Sequence, residues 1–305
     1  MKKNKLFILL VIIVQAAVAG CQNKQNKNNN ESATAEKQPT VINENIRFCE
    51  STYPYEDGIL IGNFGTEQLN PLNNEKKGYI NYYKDGKTNV LIAADGNLSA
   101  PKGMFIRSHR LFISDVNKIV VYNLKALKEA PEIITFPEDD LFINDLAADG
   151  NTLYASVTNS GRIYRIDIAN PVKMTSSVPV KWLDVTGPNG IIIDNGIMYV
   201  ASYPADGNTT DANVIYQITD LSNPVAEKFI SLPGQYDGIA LSTDKKTMYI
   251  TNWTPAGIST IDMSTKKITP LATTEKFAGP ADITVINDTM YIPDLPNSRM
   301  VILPL

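Results

Sequence analysis

The feature that most constrains the fold of this chain is a pair of short motifs that recurs about every 44 residues. The first motif is a dipeptide that precedes an apolar strand, and its second members are Gly58, Gly103, Asp145, Gly190, Gly238 and Asp282. These positions are separated by 45, 42, 45, 48 and 44 residues. The second motif is a further strand a few residues later, as in Leu111–Asp115 and Met198–Ser202. Six such units predict a repeat architecture.

The strands of each unit are short, rich in β-branched and aromatic residues, and separated by Gly, Asn, Asp and Pro. One four-stranded sheet cannot cover both of its own faces, whereas six sheets packed radially can. The sequence therefore predicts an all-β fold, a six-bladed β-propeller over residues 41–305. The last unit stops at its third strand, because the chain ends at Leu305. We expect Asn43–Cys49 to supply the missing strand and close the ring.

The first 40 residues have a different character. Three lysines precede an apolar run at Leu6–Val14 that is short for a membrane span, so residues 1–20 are predicted to be a signal peptide. Val18–Cys21 resembles the bacterial lipobox, which implies a lipid anchor on Cys21; the alternative is an ordinary signal peptide with a chance cysteine. Residues 21–40 are polar and predict a disordered tether. We expect an exported, membrane-anchored protein of the bacterial cell envelope, on the periplasmic side because no acidic cluster follows Cys21.

Composition excludes several classes of function. A single histidine, His109, rules out sites that need two or three imidazoles, and two cysteines cannot form a thiolate zinc site or an iron–sulfur cluster. A formal net charge of -4 argues against nucleic acid as a partner. Phosphate-binding glycine motifs are missing from the sequence, so no organic cofactor is expected. We expect the protein to be a monomer. If Cys21 is lipidated, Cys49 then has no disulfide partner.

The dipeptides also nominate a site. In a propeller the first strand of each blade starts at one face of the central channel, so residues at the strand starts converge there. The first members are Asp57, Lys102, Asn144, Asn189, Asp237 and Ala281. Five of these six are polar, which is costly unless they are paired or coordinated. Two alternatives stay open: the pairs are ordinary turns, or they line a water-filled channel without chemistry.

Second strands return to the same face, so their ends are further candidates. These positions are Asn63, Asp115, Thr158, Tyr203, Asn252, Trp253 and Asp294. Long loops after Phe64 and after Tyr203 would cover this face, and long loops often carry binding. Tyr203 and Trp253 are expected to form flat walls for a small ligand. The alternative is that they pack one blade against the next.

The pattern over residues 45–305 resembles the senescence-marker-protein/gluconolactonase-like family of six-bladed propellers. Pro188-Asn189-Gly190 and Tyr236-Asp237-Gly238 look like its metal-binding blade starts, and Asn144-Asp145 like its substrate-side asparagine. Asp57 stands where the family has a glutamate. The resemblance implies one divalent cation, calcium first, held by Asp57, Asn189 and Asp237, which activates water against a sugar lactone or similar ester.

The sequence also departs from the family pattern. Asp57 is shorter than glutamate, although Glu56 is adjacent; Lys102 adds a positive charge to the ring; and Phe142 replaces an arginine. Two hypotheses therefore remain. One is a propeller that binds a small molecule or a protein on its top face, with Asn144, Lys102, Tyr203 and Trp253 as binding residues. The other is a metal-dependent lactonase or esterase with Asp237 as general base.

Overall fold

Antiparallel strands follow one another along residues 38–305, the part of the chain that the computed structural model describes. The first strand and the first three blades are β1 (Thr40–Ile42), β2 (Cys49–Tyr55), β3 (Gly58–Asn63), β4 (Tyr79–Lys84), β5 (Lys87–Ile92), β6 (Met104–Arg107), β7 (Arg110–Ser114), β8 (Lys118–Asn123), β9 (Glu132–Thr135), β10 (Ile143–Asp149), β11 (Thr152–Val157), β12 (Arg162–Asp167) and β13 (Val180–Asp184). The remaining three blades contain β14 (Pro188–Asp194), β15 (Ile197–Ser202), β16 (Ile215–Ile218), β17 (Glu227–Lys228), β18 (Tyr236–Leu241), β19 (Thr247–Asn252), β20 (Gly257–Asp262), β21 (Ile268–Pro270), β22 (Thr284–Ile286), β23 (Thr289–Asp294) and β24 (Arg299–Pro304).

The strands form six separate four-stranded sheets, which confirms the predicted six-bladed β-propeller. Five sheets use four consecutive strands, and the sixth has the order β1-β24-β23-β22. One short 3₁₀-helix, Leu295–Asn297, interrupts the strands. Apolar side chains of neighbouring blades share their cores, as where Ile134 of blade two packs with Ile143 of blade three. Within residues 38–305 no helix is long and apolar enough to cross a membrane.

An N-terminal strand closes the ring, as predicted, but its position differs from the expectation. The closing strand is Thr40–Ile42, whose residues pair with Met300–Ile302 of β24. The prediction that Asn43–Cys49 closes the ring was wrong, because a turn at Asn43–Ile46 carries the chain inward. Cys49 therefore begins β2, the innermost strand of blade one, where its thiol is fully buried. Burial also raises the pKa of the thiol.

Blade one starts earlier than the sequence motif indicated. Its innermost strand is Cys49–Tyr55, so Glu56 and Asp57 lie in the turn that leads into β3, at the end of the blade away from the strand starts. Asp57 is exposed there, pairs with Lys84 at 2.5 Å and accepts a hydrogen bond from the Tyr82 hydroxyl at 2.9 Å. The prediction that Asp57, or Glu56 beside it, lies in the ring at the channel mouth was therefore wrong. Glu50 occupies the blade-start position instead.

Glycine follows the blade start where neighbouring innermost strands approach closely. A Cβ on Gly238 would lie 2.7 Å from the backbone nitrogen of Ile283 in the next blade. A Cβ on Gly103 would lie 2.6 Å from the Cα of Asp145. Both glycines have ordinary negative backbone angles, since neither is among the positive-φ residues of the described chain. At these blade starts the dipeptide therefore marks close packing of innermost strands, whereas Asp57-Gly58 belongs to a turn.

Candidate functional site

The starts of the innermost strands carry a ring of polar side chains at the channel mouth. We call this set the mouth ring; it consists of Glu50, Lys102, Asn144, Asn189, Asp237 and Ala281. Four members lie on β-bulges, where the register of the first hairpin shifts. The shifts fall between Cys49 and Ser51, Ile143 and Leu146, Pro188 and Ile191, and Tyr236 and Ile239. A bulge re-aims a side chain relative to a regular strand, so the bulges place Glu50, Asn144, Asn189 and Asp237 on one surface.

Hydroxyl groups of second strands fix the backbone of the mouth ring. Ser156 donates to the carbonyl oxygen of Asn189 at 2.6 Å and accepts from the backbone nitrogen of Asp145 at 2.9 Å. Ser114 donates to the carbonyl oxygen of Asn144 in the same way. Thr251 donates to the carbonyl oxygen of Ala281 at 3.0 Å. Each hydroxyl thus ties its own blade to the next blade start, and the ring side chains are left to face the channel.

Several buried atoms of the mouth ring have no hydrogen-bond partner. They are Glu50 Oε2, both polar atoms of the Asn144 carboxamide, Asn189 Oδ1 and Asp237 Oδ1. Glu50, Asn144 and Asn189 are at most 3% exposed, and Asp237 is 5% exposed. Buried polar groups are almost always hydrogen-bonded, since an unmade bond costs about 1–3 kcal/mol. Four unsatisfied groups on four blades therefore mark a place built for something other than stability.

Three of these residues, Glu50, Asn189 and Asp237, line a cavity of about 400 Å³. Glu50, Lys102, Asn189 and Asp237 supply its polar lining, with Thr158 and Asn159 nearby. Its apolar lining comes from Leu69, Pro71, Leu72, Phe142, Tyr203, Ala205, Trp253 and Leu295. The volume and the mixture of apolar walls with a few polar groups are typical of small-molecule sites. The two long loops predicted to cover this face both contribute.

Tyr203 and Trp253 meet edge to face, with ring centroids 6.1 Å apart and planes at 81°. The Trp253 indole N–H donates to Asp237 Oδ2 at 2.7 Å. This bond uses one carboxylate oxygen and leaves Oδ1 unpaired at the cavity. The two aromatic residues therefore do both things that the sequence left open: they line the cavity, and they orient a residue of the mouth ring.

Lys102 is fully buried, and its ammonium lies beside the cavity. Nζ donates to the carbonyl oxygens of Ala100 at 2.9 Å and Pro71 at 3.1 Å. The ammonium also lies over two aromatic rings, 4.9 Å from the centroid of Phe142 and 5.5 Å from that of Phe64. Lysine thus has local partners of its own and belongs to the mouth ring, as the sequence predicted.

Burial dominates the electrostatics of the site. It raises the pKa of Asp237 to about 7, against the opposing hydrogen bond from Trp253. Burial also raises the pKa of Glu50 well above its usual range; the Asp237 carboxylate adds to this and the Lys102 ammonium opposes it. The pKa of Lys102 is lowered by burial, although Glu50 and Asp115 favour its charged form. The charges of these groups are therefore not fully compensated by their surroundings, and a ligand of opposite charge would compensate them.

Two buried acidic residues that the sequence interpretation did not nominate, Asp145 and Asp282, each follow a blade start by one residue. Asp145 is buried and accepts backbone N–H bonds from Leu146 and Ile191, each at 2.7 Å. Burial raises its pKa to about 7 against those two bonds. Burial also raises the pKa of Asp282 well above its usual range, and the nearby carboxylates of Asp145, Glu50 and Asp237 add to the effect. The signal was present in the Asn144-Asp145 and Ala281-Asp282 dipeptides, whose second members are acidic where other blades have glycine.

The ends of the second strands turn out to be structural. Asp115 accepts backbone bonds from Ser99 and Ala100, at 3.0 and 2.7 Å, and Asp294 accepts bonds from Ala278 and Gly279 at 2.9 and 3.1 Å. The carboxamide oxygens of Asn63 and Asn252 bond the backbone nitrogens of Arg47 and Gln235. Thr158 donates to the carbonyl oxygen of Pro188. Apart from Thr158, Tyr203 and Trp253, these candidates therefore hold the segments that enter the first strands.

The oxygens of the mouth ring suit a hard divalent cation. Glu50, Asn189 and Asp237 offer two carboxylates and one carboxamide with unpaired oxygens, the donor types that calcium prefers. A cluster of three His, Cys, Asp or Glu side chains arranged for a metal ion is absent from residues 38–305, so the carboxamide is an essential part of this set. The donors fit the cation, with Glu50 replacing Asp57 in the set that the family resemblance implied.

His109 is not among the residues that line the cavity. It lies in the tight turn between β6 and β7, with a positive φ of 60°. Cys21 and the predicted signal peptide and tether up to residue 37 lie outside the described residues.

Comparisons with known proteins support the fold. Virginiamycin B lyase from Staphylococcus aureus, solved as a catalytically inactive variant with quinupristin, is 14% identical, with a TM-score of 0.57, 88% of this chain covered and 99% of that one. A streptogramin B lyase is 13% identical over 87% of this chain and 96% of its own, with a TM-score of 0.59. A chain of a nidogen/laminin complex is 14% identical over 84% and 88%, with a TM-score of 0.58.

At these identities the likeness concerns the fold alone. No family model matches the sequence, and no curated protein matches it. The chain is therefore a six-bladed β-propeller similar in fold to virginiamycin B lyase. Its function has to be argued from the site.

Proposed function

We propose that the channel mouth binds a small organic molecule through a divalent cation, with calcium as the expected ion and Glu50, Asn189 and Asp237 as the protein ligands. One observation carries the proposal: three buried oxygens without partners, on three blades, line a single cavity of about 400 Å³. Calcium takes six to eight oxygen ligands. Three protein groups would leave positions for water and for an oxygen of the bound molecule.

Neighbouring groups support this arrangement of ligands. The indole N–H of Trp253 holds Asp237 so that Oδ1 is the oxygen left for the cation. Ser156 holds the backbone of Asn189 through its carbonyl oxygen. Such outer contacts orient metal ligands and raise affinity. The apolar walls of the cavity would enclose the body of the ligand.

Thermal unfolding of the chelator-treated protein with and without added ions tests the proposal. A cation at 100 times its dissociation constant stabilises the folded state by about 2.7 kcal/mol. We expect calcium to raise the melting temperature, and Asn189→Ala to abolish the rise. Ser222→Ala, in an exposed loop, serves as the control. Unchanged melting of the wild type with calcium, magnesium, manganese and zinc would refute cation binding.

A second candidate function is hydrolysis of a sugar lactone or similar ester at the same cavity. The position of Asp237 favours it, because its buried carboxylate lines the cavity, where a general base has to reach the attacking water. A bound cation would supply polarisation of a carbonyl oxygen. Asp237 would accept the proton of the attacking water, and Asn144 would contact the substrate.

A panel of sugar lactones, aliphatic lactones and aryl esters separates the two candidates. Hydrolysis that Asp237→Asn removes, while a calcium-dependent melting shift remains, would establish the enzyme with Asp237 as base. The carboxamide keeps an oxygen ligand but cannot take the proton. Cation binding without turnover of any member would leave the binding function. Co-purification from envelope extracts tests whether this face binds a small molecule or a protein.

We also propose that Cys21 carries the lipid anchor of an exported, monomeric protein facing the periplasm. Fractionation of cells that express the full chain tests this. The protein should sediment with membranes, and Cys21→Ala should release it into the soluble fraction. Membrane association that persists in the variant would contradict the anchor.

A further inference from the structure

We infer that the molecule bound in the cavity carries a single negative charge, such as a carboxylate, and that the Lys102 ammonium recognises it. The inference deepens the proposed function and rests on it. It assigns a substrate class, an amphipathic monoanion, and names the residue that selects it.

The hydrogen bonds of Lys102 leave one donor unused. An ammonium has three N–H groups, and Nζ donates to the carbonyl oxygens of Ala100 and Pro71. In the described part of the chain, no carboxylate forms an ion pair with Lys102. The residue is 0% exposed and lines the cavity. The third N–H therefore remains for a group in the cavity.

A buried ammonium without a full counter-charge is costly, and its surroundings reduce that cost only in part. The faces of Phe64 and Phe142 lie 5.5 and 4.9 Å from Nζ, within the range of cation–π attraction. Phe142 reaches its position with a φ of 68°, an uncommon conformation for a bulky residue. Strain of this kind is retained where a site requires it. The geometry is thus arranged to keep a positive charge at the cavity.

The net charge of the residues that line the occupied cavity also favours an anionic ligand. The acidic and basic residues that line it are Glu50, Asp237 and Lys102. A divalent cation would balance the two carboxylates and leave the positive charge of Lys102 uncompensated. A monoanion restores neutrality, whereas a neutral ligand leaves a buried charge and a dianion creates one.

The apolar residues of the cavity indicate that the uncharged part of the ligand is apolar. Leu69 and Leu72 of the loop over the cavity are 36% and 38% exposed, and they face the same space as Tyr203 and Trp253. Pro71, between the two leucines, is the residue whose carbonyl oxygen binds Nζ. The charged end of the ligand and its apolar body would therefore lie side by side under this loop.

Calorimetric titration of the calcium-saturated protein with matched acids and amides tests the inference. The probes are phenylacetate against phenylacetamide, and hexanoate against hexanamide, which differ in charge but little in shape. We expect the wild type to bind at least one acid about tenfold or more tightly than its amide. Lys102→Met, which keeps an unbranched side chain but removes the charge, should reduce that ratio to near one, and Lys102→Arg should retain a preference for the acid.

The controls separate this inference from the proposed function. Absence of a calcium-dependent melting shift in the wild type refutes the proposed function itself. With calcium bound, equal affinity for acid and amide, or binding of neither probe pair, overturns the inference alone. An acid preference that survives Lys102→Met belongs to the cation and also overturns the role of Lys102. If Lys102→Met does not fold, Lys102→Gln, which also removes the charge, replaces it, and an acid preference that survives in Lys102→Gln overturns the role of Lys102.

Discussion

Two sets of polar residues surround the channel at the same face of the propeller, and they differ in one respect. The mouth ring contains buried atoms without partners on Glu50, Asn144, Asn189 and Asp237. The second set, which we call the strand-end set, follows the second strands and comprises Asn63, Asp115, Asn252 and Asp294. Its oxygens accept hydrogen bonds from the backbone that enters the first strand of the same blade. Polarity and burial are alike in both sets, with the exception of the partly exposed Asn252.

The difference teaches how a structural polar residue is told from a functional one. Asp115 and Asp294 stabilise loops because each carboxylate receives two backbone N–H groups or more. Glu50 and Asp237 lie as deep but keep an oxygen free, so they reduce the stability of the empty fold. The predictions below follow from this contrast.

The largest expected effect is on stability in the strand-end set. Asp294 accepts bonds from two backbone nitrogens, from Asn297 at 2.8 Å and from the Arg299 guanidinium at 2.9 Å. We expect Asp294→Ala to lower the free energy of unfolding by about 3 kcal/mol or more, because buried donors and a partly buried charge lose their partner. Denaturant titration in the presence of chelator measures it.

The matched variant is Asp237→Asn in the mouth ring. It removes a buried carboxylate whose Oδ1 has no partner, so we expect no loss of stability in chelator, or a gain. Equal destabilisation by the two variants would remove the distinction between the two sets.

The next effect concerns the cation and the position of blade one. Glu50→Ala, which removes the ligand oxygens, should abolish the calcium-dependent stabilisation, about 2.7 kcal/mol at 100 times the dissociation constant. Asp57→Ala should leave it unchanged, because Asp57 is an exposed partner of Lys84 on the turn after β2. Loss of the calcium response in Asp57→Ala, together with an unchanged response in Glu50→Ala, would restore the assignment made from the sequence motif.

The replacement of Asp57 by Glu50 at the start of blade one shows what sequence spacing can establish. Glycine follows the blade start in blades two, four and five because adjacent innermost strands approach closely there, so the spacing located those blades and the number of blades. In blade one the equivalent pair is Glu50-Ser51, without glycine, and the turn at Asp57-Gly58 imitates the motif. The fold could be predicted because it depends on six repeats, but the site depends on each individual blade start.

Asparagine and aspartate occur in both the mouth ring and the strand-end set, so residue type alone could not separate Asn189 and Asp237 from the strand-end residues. Which oxygens stay unpaired depends on the bulges at Asn189 and Asp237 and on backbone donors that approach from elsewhere in the blade. Those contacts arise only when the strands pair. The hydroxyls of Ser114, Ser156 and Thr251, at one place in three second strands, were visible in the sequence, but their partners in the next blade were not.

A smaller effect is expected from pH. The pKa of Asp145 is raised to about 7 in the folded chain, against an ordinary value of 3.8. Between these values the folded state keeps a proton that the unfolded state has lost, so stability falls as the pH rises towards 7. One such proton changes the free energy of unfolding by about 1.4 kcal/mol per pH unit.

Denaturant titrations in chelator between pH 4.5 and about 7 measure this slope. Asp145→Asn should make it shallower, whereas Asp167→Asn, on the exposed end of β12, should leave it as in the wild type. A slope that Asp145→Asn does not change would mean that this carboxyl does not hold the proton.

The smallest expected effect tests the link between the second strands and the mouth ring. Ser156 donates to the carbonyl oxygen of Asn189 in the next blade, whereas Ser202, at the end of the second strand of blade four, donates to the carbonyl oxygen of Thr186 in its own blade. Each change to alanine should lower the free energy of unfolding by about 1 kcal/mol, because each removes one buried hydrogen bond. Only Ser156→Ala should also weaken calcium binding, by about tenfold, since it alone supports a proposed ligand. Calcium titrations of both variants decide this, and equal affinities would show that the bulge alone positions Asn189, without the hydroxyl of the neighbouring blade.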